Sequence, residues 1–181
     1  MRIVKKHLIL LLLANPLLIF AQGGKDEELV DWSATNRLTW SDYKGNPDPT
    51  SVAAATTTSY LGIEYNFKNN TVTYKIVCRF SKNKSWGLYK TAHILGHEQG
   101  HFDITEIFAR KLNKETSEYK FNKSSYKHDL QKIYNDIVED KEKLQNQYDK
   151  ETDFSRHKDK QAEWLKRIQD MLEDLKDYSD Y

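Results

Sequence analysis

Cysteine, proline and glycine are scarce, with one, three and seven copies in 181 residues, and neither sign of charge dominates, with 28 Lys and Arg against 27 Asp and Glu. The single thiol, Cys78, excludes an intramolecular disulfide. The charge balance argues against a polybasic surface for nucleic acid or anionic lipid. The apolar run Leu8–Phe20 is interrupted by Asn15-Pro16 and is too short to span a bilayer comfortably. The chain also has no internal repeat and no low-complexity tract.

What is present begins with a segregated N-terminus. Residues 1–21 carry Arg2, Lys5 and Lys6 and no acid, so the rest of the chain holds 25 basic against 27 acidic side chains. A basic start, a short apolar stretch and the small Ala21 predict a secretory signal peptide over 1–21, cut after Ala21 and followed by a polar leader over 22–30. No cysteine adjoins that junction, which disfavours a lipoprotein anchor. The expected product is exported, periplasmic or secreted, with no membrane span after cleavage. Its length suits one domain, 31–181, able to bury a core without staples.

Leu38–Tyr43 reads as a short strand ended by the loop Gly45-Asn46-Pro47-Asp48-Pro49. Val52–Phe67 and the alternating Val72-Tyr74-Ile76-Cys78-Phe80 predict an antiparallel hairpin turning at Lys68–Thr71, with Cys78 in the core. From Leu88 to Leu112 there is no proline, and Leu88, Ala92, Leu95, Phe102 and Phe108 keep helical spacing, which predicts one long helix. Leu130, Ile133, Ile137, Leu144 and Tyr148 mark a second helix, and Trp164–Leu175 a third after a break near Asp149–Ser155. Heptads are too few for a coiled coil, so the helices are expected to cover a small sheet.

Inside the long helix stands His97-Glu98-Gln99-Gly100-His101, an H-E-x-x-H pattern. Imidazoles four residues apart lie on one helical face and can reach a single tetrahedral cation. Glu98 is rotated by about 100° from His97 and is placed to take a proton from a water that the metal activates. Composition alone gives on the order of one or two chances in a hundred for the pattern anywhere. Gly100 costs about 1 kcal/mol relative to Ala in mid-helix, and close approach of a strand beside the metal would explain it. His93 shares the face but lies about 12 Å from His101 along the axis, too far to join both others. A third ligand must come from elsewhere, with His128, His157, Asp149 and Glu151 downstream; Asp103 and Glu106 are wrongly rotated on the same helix, and Asp103 suits an orienting role instead.

These residues resemble a bacterial family, domain of unknown function nine hundred and twenty-two, regarded as secreted zinc-dependent proteases. The similarity rests on Leu38-Thr39-Trp40-Ser41-Asp42-Tyr43-Lys44-Gly45, Lys84-Ser85-Trp86, His97–Ile104 with Ala109-Arg110-Lys111-Leu112, and Tyr148-Asp149-Lys150-Glu151-Thr152 with Gln161 and Trp164. The family pattern carries His two residues after that Thr, where this chain has Phe154. His157, about one helical turn later, is the favoured substitute, with Glu151, Asp149 and His128 as alternatives. Tyr148 either closes the apolar face of its helix or donates its phenol to an oxyanion.

The resemblance implies an α+β, zincin-like domain: a small antiparallel sheet, a long H-E-x-x-H helix and C-terminal covering helices. The expected cofactor is Zn2+ on His97, His101 and His157, with Glu98 as general base and Tyr148 as the second catalytic candidate. A peptide or protein is the expected substrate. A catalytically idle module that keeps the scaffold to hold a partner is the competing expectation.

Overall fold

The computed structural model describes residues 18–19, 27–51, 53–68 and 71–181. The expected signal peptide and its cut after Ala21 lie outside the described residues, except for Leu18 and Ile19. Those two form β1 (Leu18–Ile19) on the edge of an antiparallel sheet ordered β1-β4-β5-β2, with β2 at Leu29–Asp31, β4 at Ser59–Lys68 and β5 at Thr71–Ser81. β3 (Ala55–Thr56) and β6 (Trp86–Gly87) pair separately. Three helices follow, α1 (Ala92–Glu118), α2 (Tyr126–Thr152) and α3 (Lys158–Asp174). Among the described residues no helix is long and apolar enough to cross a membrane.

The hairpin forms for the reason its alternation implies. Leu61 faces Cys78 and Ile63 faces Ile76 across the ladder, and all four are buried on one face. The first strand begins later than the sequence suggests, because residues 53–58 leave the hairpin and β3 pairs with β6 instead. Leu38–Tyr43 is not a strand. Asp42 accepts hydrogen bonds from the backbone N–H and the hydroxyl of Thr39, both at 2.9 Å, and this reciprocal cap curls Trp40–Asp42 into a 3-10 turn.

α1 starts at Ala92 rather than Leu88, since the N–H groups of Leu88 and Tyr89 donate to the Ala54 carbonyl and the Thr91 hydroxyl caps Ile94 at 3.2 Å. It packs against β4, β5, α2 and α3 and is buried almost all round between His97 and Arg110. Phe80 meets Phe102 with ring centroids 5.8 Å apart, joining sheet to helix. α2 ends at Thr152, and the chain reverses through Asp153, Phe154 and Ser155, all in left-handed backbone with φ of 47°, 50° and 74°. Such conformations cost on the order of 1–3 kcal/mol each for non-glycine residues.

Candidate metal centre

α1 carries His97 and His101 on the face turned to α2, and α2 brings Asp149 to them. His97 Nε2 and His101 Nε2 lie 3.2 Å apart, and Asp149 Oδ1 lies 3.1 Å from the first and 3.0 Å from the second. A tetrahedral zinc with bonds near 2.0–2.1 Å separates neighbouring ligand atoms by about 3.3–3.4 Å, so this triangle has the size of one face of such a site. Two imidazole nitrogens and a carboxylate oxygen converge stably only around a cation or a shared proton. Among the described residues they are the group of His, Cys, Asp and Glu side chains close enough to hold a metal ion.

Asp149, and not the expected His157, is the side chain that meets the two imidazoles. His157 lies at the N-cap of α3, its side chain exposed, its backbone N–H donating to Thr152 and its carbonyl accepting from Gln161. The left-handed reversal at 153–155 carries His157 out of line with α2, so helical spacing does not extend to it. His128 is exposed beside Asp129, and Glu151 accepts from the Trp164 indole at 2.8 Å.

Tyr148 also differs from the oxyanion reading. Its ring is fully buried, stacked on His97 at 4.5 Å and edge-on to His101 at 5.1 Å, and its hydroxyl donates to the His97 carbonyl at 3.3 Å. It supports the imidazoles from behind and is not among the cleft-lining residues. This contact also accounts for Gly100. A Cβ there would stand 2.6 Å from the Tyr148 hydroxyl and 3.0 Å from its ring, so a side chain from α2, not a strand, requires the glycine.

Gln145 was not singled out by the sequence. Its Oε1 lies 2.5 Å from His101 Nδ1 while its Nε2 donates to the His101 carbonyl at 2.9 Å. That pairing puts the His101 proton on Nδ1 and leaves Nε2 free to bind a cation. The available signal was the four-residue spacing to Asp149, which sets both on one face of α2. His93 lies apart, its Nε2 donating to the Ser155 carbonyl at 2.7 Å.

Glu98 is 4 % exposed and lines a cleft of about 410 Å3 together with His97, His101, Asp149, Phe154 and the segment from Ala53 to Ser59, which contains β3. Its Oε2 has no hydrogen-bond partner among the described residues. Burial raises its pKa, against the opposing effects of charge on His101 and hydrogen bonding from Thr57. Burial lowers His97. For His101 burial also works downward, but the bond to Asp149 and the charge of Glu98 outweigh it and push the imidazole up to about 8. Asp149 is opposed by burial yet held well below the usual carboxylate range by the two imidazoles.

Asp103 lies outside the group of His97, His101 and Asp149 and orients the chain. It accepts from the Trp32 indole at 2.8 Å and from Gln99 at 3.0 Å, and it pairs with Arg37, while Gln99 Oε1 receives the Leu38 N–H at 2.8 Å. Asp103→Ala should cost about 2–3 kcal/mol in denaturant unfolding, because it strands the Trp32 and Gln99 donors, and should leave metal affinity within about threefold. Glu106 faces elsewhere, bonded to Arg110 at 2.8 Å and to the Tyr181 hydroxyl.

No curated protein and no solved structure is similar enough to match this chain. The family model described as "Bacterial protein of unknown function (DUF922)" matches residues 21–158, well over half the chain, and the protein belongs to that family.

Proposed function

We propose that this protein is an exported zinc-dependent metallopeptidase with a zincin-like arrangement, in which His97, His101 and Asp149 hold the ion and Glu98 is the general base. The observation that carries the reading is the triangle of two Nε2 atoms and one carboxylate oxygen, with edges of 3.0–3.2 Å, beside an unpartnered oxygen of Glu98 in the same cleft. Zinc in this site would polarise the scissile carbonyl and acidify a water. Glu98 Oε2 takes the proton of that water as its oxygen adds to the carbonyl carbon. When the C–N bond breaks, Glu98 returns the proton to the leaving amine. A carboxylate raised by burial suits both halves of that exchange near neutral pH.

Glu98→Gln tests the reading. The variant should keep stoichiometric zinc and lose peptide hydrolysis by about a thousandfold or more, since the amide cannot accept the proton. Retained hydrolysis would remove Glu98 as base, and a wild type that binds zinc yet cleaves no peptide would leave the partner-holding module as the better account.

Below about pH 8 His101 carries a second proton, on Nε2 facing Asp149, which zinc must displace, and this sets the pH dependence. Apparent affinity should rise about tenfold per unit as pH climbs from 6 towards 8 and flatten above it, measured by chelator competition. In the metal-free protein the sign reverses. His101 is raised above its ordinary 6.5, so its stabilising contribution is complete below that value and is lost as pH rises through about 8.

A further inference from the structure

Phe154 combines two features that work against folding. Its φ of 50° lies in the left-handed region, where a bulky aromatic is an outlier, and 47 % of the residue is exposed. The neighbouring Asp153 is a tolerated left-handed helix cap, and Ser155, 7 % exposed, is tied down by His93, which Gln161 of α3 holds in turn at 2.8 Å through its carbonyl. The Phe154 ring, by contrast, is left about half exposed. The backbone N–H of Phe154 donates to the main-chain carbonyl of Asp149 at 2.9 Å, which ties the turn to the residue whose carboxylate meets the two imidazoles, and Phe154 lines the same cleft as His97, Glu98 and His101. Ala53, Ala54 and Ala55 line the same cleft and present only methyl groups to it.

We propose that Phe154 is the apolar wall of a side-chain subsite, which selects peptides carrying a bulky apolar residue close to the bond presented to Glu98. The inference rests on the peptidase reading for its substrate class. Backbone strain kept at an exposed aromatic is accounted for by what the aromatic contacts in the complex. His93 and Gln161 hold the strained turn in place, which makes them positioning residues for the subsite.

The test uses alanine-based hexapeptides with one Leu moved through each position, and the zinc-loaded full chain. Wild type should favour at least one Leu peptide over the all-Ala peptide by about tenfold in kcat/KM, equivalent to about 1.4 kcal/mol. Phe154→Ala should bring that ratio below about threefold with zinc stoichiometry retained, and Phe154→Leu should restore most of it. Phe154→Gly should raise Tm while losing the preference, because glycine adopts the left-handed turn without cost. An unchanged ratio in Phe154→Ala, or a lower Tm in Phe154→Gly, would overturn the proposal. Calorimetric binding of the same peptides to zinc-loaded Glu98→Gln, alone and with Phe154→Ala, separates the two readings. If wild type cleaves nothing, a Leu preference in binding that Phe154→Ala abolishes upholds the subsite and sinks the hydrolysis, whereas binding with no preference, or no binding, sinks the subsite.

Discussion

Asp149→Asn is expected to weaken zinc binding by more than about a hundredfold and to abolish peptide cleavage, while His157→Ala leaves both within about twofold. The substitution keeps the size of the side chain and removes the charge that meets both imidazoles at 3.0–3.1 Å. A catalytic zinc generally needs three protein ligands, and outer partners alone already influence affinity by about 10–100-fold, so loss of a direct ligand should exceed that range. Asp149 also joins α2 to α1, so zinc should raise the melting temperature of wild type and have little effect on the variant. Chelator competition and thermal melts with and without zinc read both effects. Equal zinc affinity in wild type and Asp149→Asn would dissolve the proposed centre.

Gly100→Ala should destabilise the fold by about 1–2 kcal/mol even though alanine is the better helix former by about 1 kcal/mol. The added methyl would meet the Tyr148 hydroxyl at 2.6 Å, and that ring has nowhere to retreat: it is fully buried, stacked on His97 and packed within 5.5 Å of the Trp164 ring. Displacing it moves His97, so zinc affinity should fall by about tenfold as well. Tyr148→Phe in the same chain removes the nearest atom and should recover part of both losses. Urea unfolding and zinc titration check the pair, and an unaltered stability in Gly100→Ala would mean that α1 and α2 are packed less closely than the structure has them.

Local pattern was enough for the elements whose periodicity is strong. The alternation of Ile76, Cys78 and Phe80 specified one strand of the hairpin, since a slip of one residue would turn each of those side chains to the wrong face. The helix bearing His97, Glu98 and His101 was legible for the same reason, as was the break after α2. Leu38–Tyr43 has the apolar content of a strand, but the decisive interaction is the side chain of Asp42 closing on Thr39, which no periodicity reports.

The sequence by itself determined that two imidazoles would share a helical face with a glutamate beside them, because a spacing of four residues in a helix leaves no other arrangement. It left the third position open among His157, Glu151, Asp149 and His128. Only the tertiary structure decided which of these side chains meets the two imidazoles, and it brings Asp149 there rather than His157 because three left-handed residues turn the chain away after Thr152. The roles of Tyr148, Gln145 and Asp103 were likewise set by what α1 meets from α2 and from the segment at Trp32–Leu38. Contacts between segments 44–71 residues apart have no periodicity to read, and they come into being only when the helices pack.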